Sequence, residues 1–202
     1  MKILRDSGYG KQSAVAGYGP WSGTFSAHVP NINNRNRLRI FREFIGWNTV
    51  PEGLDVIDMG GKNLIGSNLG ITEFTHCNLD HELRTKKDAY DVITAFEVIN
   101  HLTNHQDFLR RVHAKLKPGG RLYLSTPRPR PFWPWYPHGE GNYVEIPIKS
   151  LRKILKYTGF EIVREEVKNP WPFRFVLYGI RPPFRWLLNR FTLVECVKQE
   201  GK

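Results

Sequence analysis

The sequence predicts an α/β fold of the Rossmann-like, doubly wound type: a mostly parallel sheet with a late antiparallel strand and helices on both faces. Apolar runs of strand length alternate with segments of helical periodicity, an order typical of a parallel sheet. Acids and glycines stand at the ends of these runs, in residues 55–61 and just after residues 90–96. Because ligands bind beyond the carboxyl ends of parallel strands, this placement predicts a small-molecule site at that edge.

The first half of the chain alternates loops, helices and strands. Residues 35–47 have a helical pattern that Asn34 can cap, with Leu38, Phe41 and Ile45 on one face. Residues 62–70 contain two glycines and two asparagines, which leaves room for a short turn of helix at most. We expect a strand over residues 71–79 that ends at Asp80, followed by a polar loop. The span from Gly61 to Tyr90 is short, so one strand or helix of a standard sheet has room to be absent.

The second half has clearer boundaries. After the strand at residues 90–96, the pattern predicts an amphipathic helix at 104–116, ended by the Pro118-Gly119-Gly120 turn, and a strand at 121–125. A helix at 148–158 should close at Gly159. Two late strands follow, at 160–167 and 191–198, which we expect to be antiparallel neighbours.

Charge and cysteine content narrow the class of protein. Thirty basic against nineteen acidic residues give a net charge of +11. This favours an acidic partner, such as nucleic acid, an anionic membrane face or a nucleoside ligand, although a solvated basic surface explains it equally well. Cys77 and Cys196 are far apart, so we expect neither a disulfide framework nor a metal site. With no apolar run long enough for a signal peptide or a membrane span, the chain is expected to be cytoplasmic or peripheral to a membrane.

Three segments together resemble a known family. Residues 88–102, DAYDVITAFEVINHL, resemble the fourth-strand signature FDVVxxxEVIEHL of class I S-adenosylmethionine-dependent methyltransferases. Residues 108–127 resemble the family segment FLxExxRxLKPGGxLxLSTP, and Gly159-Phe160 resembles its late Gly-Phe turn. The resemblance covers about residues 35–198 and implies S-adenosylmethionine as cofactor.

The resemblance also implies cofactor-binding residues. Asp58, Gly60 and Gly61 match the family's first motif, an acid followed by glycines that let the backbone approach the nucleoside, but their spacing is altered. Asp80 is implied as the acid that binds the ribose hydroxyls, and Glu97 as the acid that borders the methionine or adenine side. The alternatives are a turn cap for Asp80 and a surface acid at a helix N-terminus for Glu97.

Two histidines are candidates for a general base. A hydroxyl nucleophile benefits from a base with a pKa near neutrality, and His101 and His138 both follow strands on the expected cleft side. The alternatives are a capping or packing role for His101 and a simple turn at His138. The fourth motif lacks Asn/Asp-Pro-Pro-Tyr/Phe, which argues against base N-methylation and favours a hydroxyl of a small, glycan or lipid-linked acceptor.

We expect a single domain over residues 1–202. It comprises an N-terminal loop and helix (1–50), a cofactor-binding half (51–128) and a substrate-side half (129–202) with an aromatic and basic insertion at 169–190. The part of the insertion at 171–190 suits contact with an anionic membrane, with single-stranded nucleic acid, or with the sheet as a helical cover.

Two other functions compete with the enzyme. The first is a catalytically inactive methyltransferase-like module that binds nucleic acid through its basic surface, suggested by the altered glycine turn and the charge. The second is a dehydrogenase-type fold, which the absence of a Gly-x-Gly-x-x-Gly turn disfavours.

Overall fold

The structure is a computed structural model that describes residues 32–59, 64–74, 88–128, 146–169 and 191–199. The strands are β1 (Val56–Asp58), β2 (Glu73–Phe74), β3 (Tyr90–Phe96), β4 (Leu116–Pro127), β5 (Phe160–Lys168) and β6 (Phe191–Lys198). The helices are α1 (Ile32–Ile45), α2 (Leu64–Asn68), α3 (His105–Lys115) and α4 (Ile148–Tyr157), with one turn of 3-10 helix at Ile99–His101.

The described strands form one six-stranded sheet in the order β2-β1-β3-β4-β6-β5. The pairs β1–β2, β1–β3 and β3–β4 are parallel, whereas β6 runs antiparallel to both of its neighbours, β4 and β5. The predicted mixed sheet with a late antiparallel strand is therefore confirmed, as is the antiparallel pairing of the last two strands.

Helices cover both faces of the sheet. Ile93 and Ala95 of β3 belong to a core that includes residues of α3 and α4, whereas Val92 and Phe96 belong to a second core that includes residues of α1. This alternation follows from the two-residue period of a strand. On the α1 face, the rings of Phe41 and Phe96 stack with centroids 4.2 Å apart.

The boundaries of α1 differ from the prediction. It begins at Ile32, so Asn34 lies inside the helix instead of capping it. It ends two residues earlier than predicted, because Gly46 at φ +83° donates its N–H to the carbonyl of Arg42 (2.8 Å) and turns the chain out of the helix. The predicted face is nevertheless correct, since Phe41 and Ile45 are buried and Leu38 packs against them.

The turn between α3 and β4 also differs from the prediction. Asn104 caps α3 by accepting the N–H of Asp107 (3.0 Å), and Phe108, Leu109 and Val112 are fully buried as expected. β4 already begins at Leu116, which pairs with Tyr90, and Val92 then pairs with Arg121. Residues 117–120, including the Pro118-Gly119-Gly120 segment, form an irregularity inside the strand pairing, so the predicted strand 121–125 is too short.

The end of α4 follows the prediction. Gly159 has φ +88°, and a Cβ there would lie 2.7 Å from Nε2 of His113, so both conformation and space require glycine. The chain then enters β5 at Phe160, which is buried against the same core as Leu151 and Leu155 of α4. Burial raises the pKa of the Cys196 thiol in β6 to about 12, with a smaller contribution from Glu195.

Several predicted features lie outside the described residues. Between α2 and β3, residues 75–87 are not described, so the absence of a standard strand or helix there stays a prediction. The same holds for Cys77 and for the segment 171–190. The predicted short helix after the first motif is confirmed, since α2 has five residues. No helix in the described ranges is long and apolar enough to cross a membrane.

Candidate cofactor site

The sheet has a topological switch between β1 and β3. From β1 the chain goes to β2 on one side, then crosses back to β3 on the other side of β1. In open α/β sheets, ligands bind in the crevice outside the carboxyl ends of the strands at such a point. The carboxyl ends of β1 and β3 are therefore the place to look for a ligand site.

Asp58 is the last residue of β1 and lies at this switch. It is 1% exposed, and its Oδ1 accepts a hydrogen bond of 2.7 Å from the hydroxyl of Thr94, which is itself fully buried. The two residues are direct partners in the β1–β3 register. The next residue, Met59, donates its N–H to the carbonyl of Thr94 (2.8 Å). The carboxylate is thus held in one position at the strand end.

Gly66 of α2 lies directly against this carboxylate. A Cβ at Gly66 would come within 2.9 Å of Oδ2 of Asp58 and of the Phe74 ring. The carbonyl of Gly66 accepts the N–H groups of Leu69 (3.1 Å) and Ile71 (3.0 Å), which ends the short helix. Only a glycine lets the α2 backbone approach the end of β1 this closely without moving a neighbour.

Glu97 follows β3 at the same edge, in a backbone conformation that is rare for a side chain larger than glycine. Its φ is +56°, in the left-handed region. Its N–H is shared between the hydroxyl (2.9 Å) and the carbonyl (3.1 Å) of Ser125 in β4. Its carboxylate forms an ion pair with Arg37 of α1, and the two side chains are only 20% and 11% exposed. Backbone conformations of this kind cluster at functional sites, where the surrounding structure holds them in place.

The other predicted site residues are less well defined. His101 ends the 3-10 helix just beyond β3, is half-buried, and donates its backbone N–H to Val98 (2.9 Å). It is therefore on the predicted side of the sheet. Gly60, Gly61, Asp80 and His138 lie outside the described residues, so their predicted roles stay predictions.

The described part of the site fits the implied cofactor. S-adenosylmethionine presents ribose hydroxyls and an ammonium group, and both are bound well by carboxylates. Two acids, Asp58 and Glu97, end neighbouring strands at the switch point, and the Gly66 backbone closes in on the first of them. Within the described ranges, no group of three or more His, Cys, Asp or Glu side chains could hold a metal ion.

Sequence reasoning missed four residues that shape this site: Arg37, Gly66, Thr94 and Ser125. Thr94 had a usable signal, because a hydroxyl in an otherwise apolar buried strand needs a hydrogen-bond partner. Arg37 had no such sequence signal, since it is one of several arginines on α1 and its partner Glu97 is 60 residues away.

The known proteins that resemble this chain in sequence are methyltransferases. A family model described as "Methyltransferase domain" matches residues 16–165. Rat mitochondrial ubiquinone biosynthesis O-methyltransferase is 32% identical over 54 residues, which are 27% of this chain and 16% of that protein. The Photobacterium profundum ubiquinone biosynthesis O-methyltransferase is 32% identical over 84 residues, 37% of this chain and 35% of that protein. The matches to these curated relatives thus span about a third of their length or less.

Solved structures share the fold. An S-adenosylmethionine-dependent methyltransferase from Mesorhizobium loti matches with a TM-score of 0.54 at 18% identity, covering 82% of this chain and 98% of that chain. The Burkholderia thailandensis 1,6-didemethyltoxoflavin-N1-methyltransferase, solved with S-adenosylhomocysteine, matches with a TM-score of 0.56 at 15% identity, covering 99% and 92%. At these identities the matches show the fold, and they confirm the predicted Rossmann-like architecture.

Proposed function

This chain belongs to the methyltransferase-domain family, and we propose that it transfers the methyl group of S-adenosylmethionine to a hydroxyl of a small, glycan or lipid-linked acceptor. The observation that carries the proposal is the pair of acids at the switch point, of which Asp58 is buried and Glu97 is partly exposed. Asp58 ends β1, and Glu97 follows its parallel neighbour β3. Asp58 is held by a hydrogen bond from Thr94. Glu97 is held by an ion pair with Arg37 and by the hydrogen bond from its N–H to Ser125.

The acceptor class has separate support. The curated relatives are named as O-methyltransferases of ubiquinone biosynthesis, and their matches are confined to about a third of their length or less. An oxygen acceptor is also consistent with the absence of the Asn/Asp-Pro-Pro-Tyr/Phe motif after β3, where this chain has Glu97-Val98-Ile99-Asn100. We therefore favour a hydroxyl over a nitrogen as the methyl acceptor.

The proposed mechanism divides the work among the chain's own residues. The cofactor supplies an electrophilic methyl group on a sulfonium. Asp58 and Glu97 would hold the cofactor so that its methyl group is aligned with the acceptor oxygen. His101 or His138 would take the proton from the acceptor hydroxyl as its oxygen takes the methyl group, and the cofactor would leave as a neutral thioether.

The proposal is tested in two stages. Native mass spectrometry of freshly purified protein, followed by calorimetry with S-adenosylhomocysteine, should show a co-purified or saturably binding nucleoside. Protein that binds neither S-adenosylmethionine nor S-adenosylhomocysteine would contradict the enzyme function. It would favour the nucleic-acid-binding module if salt-sensitive RNA binding accompanied it.

The acceptor is tested with radiolabelled S-adenosylmethionine and a panel of phenols, catechols, sugars and amines. We expect label to appear on hydroxyl compounds and an ether product to be found by mass spectrometry. Transfer to amines alone would refute the oxygen acceptor while leaving the methyltransferase function intact. Substitution of His101 and His138 by Gln, one at a time, should identify the base through a loss of rate with cofactor affinity unchanged.

A further inference from the structure

The outer face of α4 is strongly basic. The helix buries Leu151 and Leu155 fully against the sheet. On the opposite side it exposes four cationic side chains within eight residues: Lys149, Arg152, Lys153 and Lys156. An amphipathic helix of this kind needs a polar outer face, but it does not need one of a single charge sign.

Three of these cations form a row. Lys149, Lys153 and Lys156 stand at i, i+4 and i+7, so they lie along one side of the helix at axial steps of about 6 and about 4.5 Å. None of the three ammonium groups makes an ion pair or a hydrogen bond within the described part of the chain. Arg152 differs, because Glu165 of β5 accepts from its Nε at 2.8 Å.

The neighbouring helix α3 extends the same surface. The guanidinium of Arg110 lies 5.3 Å above the ring of Tyr157, and this tyrosine is 68% exposed at the end of α4. The acid nearest along α3, Asp107, already pairs with Arg111 at 2.6 Å. We call this combination of the three lysines, Arg110 and Tyr157 the α3–α4 basic surface. Its positive charge is not neutralised by the acids of the same helices.

We propose that the α3–α4 basic surface docks on an anionic lipid membrane. Clusters of four or more basic side chains on an amphipathic helix are attracted to anionic headgroups, and an exposed tyrosine suits the headgroup depth. Single-stranded nucleic acid would instead need several aromatic faces for successive bases, and this surface offers one. A flat layer of headgroups therefore matches the row of lysines better.

One end of the surface lies toward the carboxyl edge of the sheet, although α4 precedes β5, which β4 and β6 separate from β3. α4 ends where β5 begins, at the amino edge of the sheet, so its first residues, including Lys149, point toward the carboxyl edge. The docking itself does not depend on the proposed methyl acceptor and is tested without one.

The test is co-sedimentation with vesicles of phosphatidylcholine, with and without phosphatidylglycerol. The full chain should bind only the anionic vesicles, and binding should weaken as salt shortens the electrostatic range. The triple variant Lys149→Gln/Lys153→Gln/Lys156→Gln should lower the partition coefficient about 100-fold. The matched triple Lys→Arg variant should bind like the wild type, and so should Arg39→Gln, which removes an exposed charge from α1 on the opposite face.

Three results would overturn the inference. They are absence of wild-type binding to anionic vesicles, equal binding by the glutamine triple variant, and loss of binding in Arg39→Gln as large as in the triple variant. Binding to an RNA homopolymer but not to vesicles would replace the membrane by nucleic acid. Because the substituted side chains are exposed, thermal unfolding should be nearly unchanged, which separates lost docking from lost folding.

Discussion

β1 and β3 carry acids at both ends, and the two ends hold them differently. At the amino ends, Asp55 and Asp91 share the ammonium group of Lys117, at 2.7 and 2.8 Å, and their side chains are 62% and 29% exposed. At the carboxyl ends, Asp58 is 1% exposed and bonded to Thr94, and Glu97 is 20% exposed and paired with Arg37. Residue type is nearly the same at the two ends, but Asp58 is buried whereas Asp55 is exposed, and Asp91 and Glu97 are both partly exposed.

This difference is the basis for proposing a structural role for the acids at the amino ends and a binding role for those at the carboxyl ends. An exposed ion pair contributes little, since water replaces either partner at small cost. A buried carboxylate loses its hydration and needs compensating hydrogen-bond donors. Because this burial costs free energy, a carboxylate in the interior needs an explanation. The acids at the carboxyl ends stand at the edge where ligands bind in such sheets, and we propose cofactor binding as that explanation.

The largest effect is expected from removing the charge of Asp58. Asp58→Asn keeps the shape and an acceptor for Thr94 but lowers affinity for S-adenosylhomocysteine by about 10- to 100-fold, the value of a hydrogen bond to a charged group. Calorimetry measures it. Asp55→Asn, at the other end of the same strand, is the matched control and should change affinity less than about twofold. Equal losses in both variants would remove the distinction between the two ends.

The second-largest effect is expected from adding a methyl group at Gly66, where the backbone lies close to Asp58. Gly66→Ala places a methyl group 2.9 Å from both Asp58 and Phe74, so these side chains must shift. We expect a loss of about 1–3 kcal/mol in unfolding free energy from overpacking, together with weaker cofactor binding. Urea unfolding and calorimetry measure the two quantities. Ser67→Ala, at the exposed neighbouring position, should alter neither; unchanged affinity in Gly66→Ala would show that Asp58 can move without consequence.

A smaller effect is expected for the pair of Arg37 and Glu97. In a double-mutant cycle of Arg37→Met and Glu97→Gln, the coupling in unfolding free energy should be about 0.5–3 kcal/mol, because both side chains are largely buried. Arg37→Lys should retain part of it. A cycle that closes with no coupling would mean that α1 is not held to the end of β3 by this pair.

The smallest effect is expected at the amino ends of the strands, where the contribution of Asp91 to stability depends on pH. The hydrogen bond from Lys117 holds the pKa of Asp91 below its ordinary value of 3.8, despite some opposing desolvation. A lowered pKa in the folded state stabilises the protein above pH 3.8 and is lost as pH falls through the folded value. The melting temperatures of wild type and Asp91→Asn should therefore differ slightly near pH 6 and converge at lower pH. A difference that grows on acidification would contradict the assignment.

The architecture could be predicted because it rests on local patterns. The apolar run of residues 90–96, the inward face of α3 and the turn at Gly159 each follow from periodicity or from a conformation that only glycine adopts readily. The boundary errors have physical causes as well. α1 ends early because Gly46 closes it, and β4 begins early because the Leu116–Tyr90 pairing lies ahead of a bulge that the Pro-Gly-Gly segment had concealed.

The site was only partly predictable, because its contacts join distant parts of the chain. Asp58 and Glu97 could be singled out from their positions at strand ends. Their partners Thr94 and Arg37 are 36 and 60 residues away and depend on strand register and helix placement. The left-handed backbone of Glu97 had no sequence signal, since it arises from the bonds that Ser125 accepts from its N–H.

The central claim is that a nucleoside cofactor binds at the carboxyl ends of β1 and β3. Hydrogen–deuterium exchange with and without S-adenosylhomocysteine tests it most directly, because it reports the binding site along the whole chain. We expect added protection in peptides that contain Asp58 and Glu97, and none in peptides that contain Lys117. Protection confined to other segments, or no change at saturating ligand, would contradict the account.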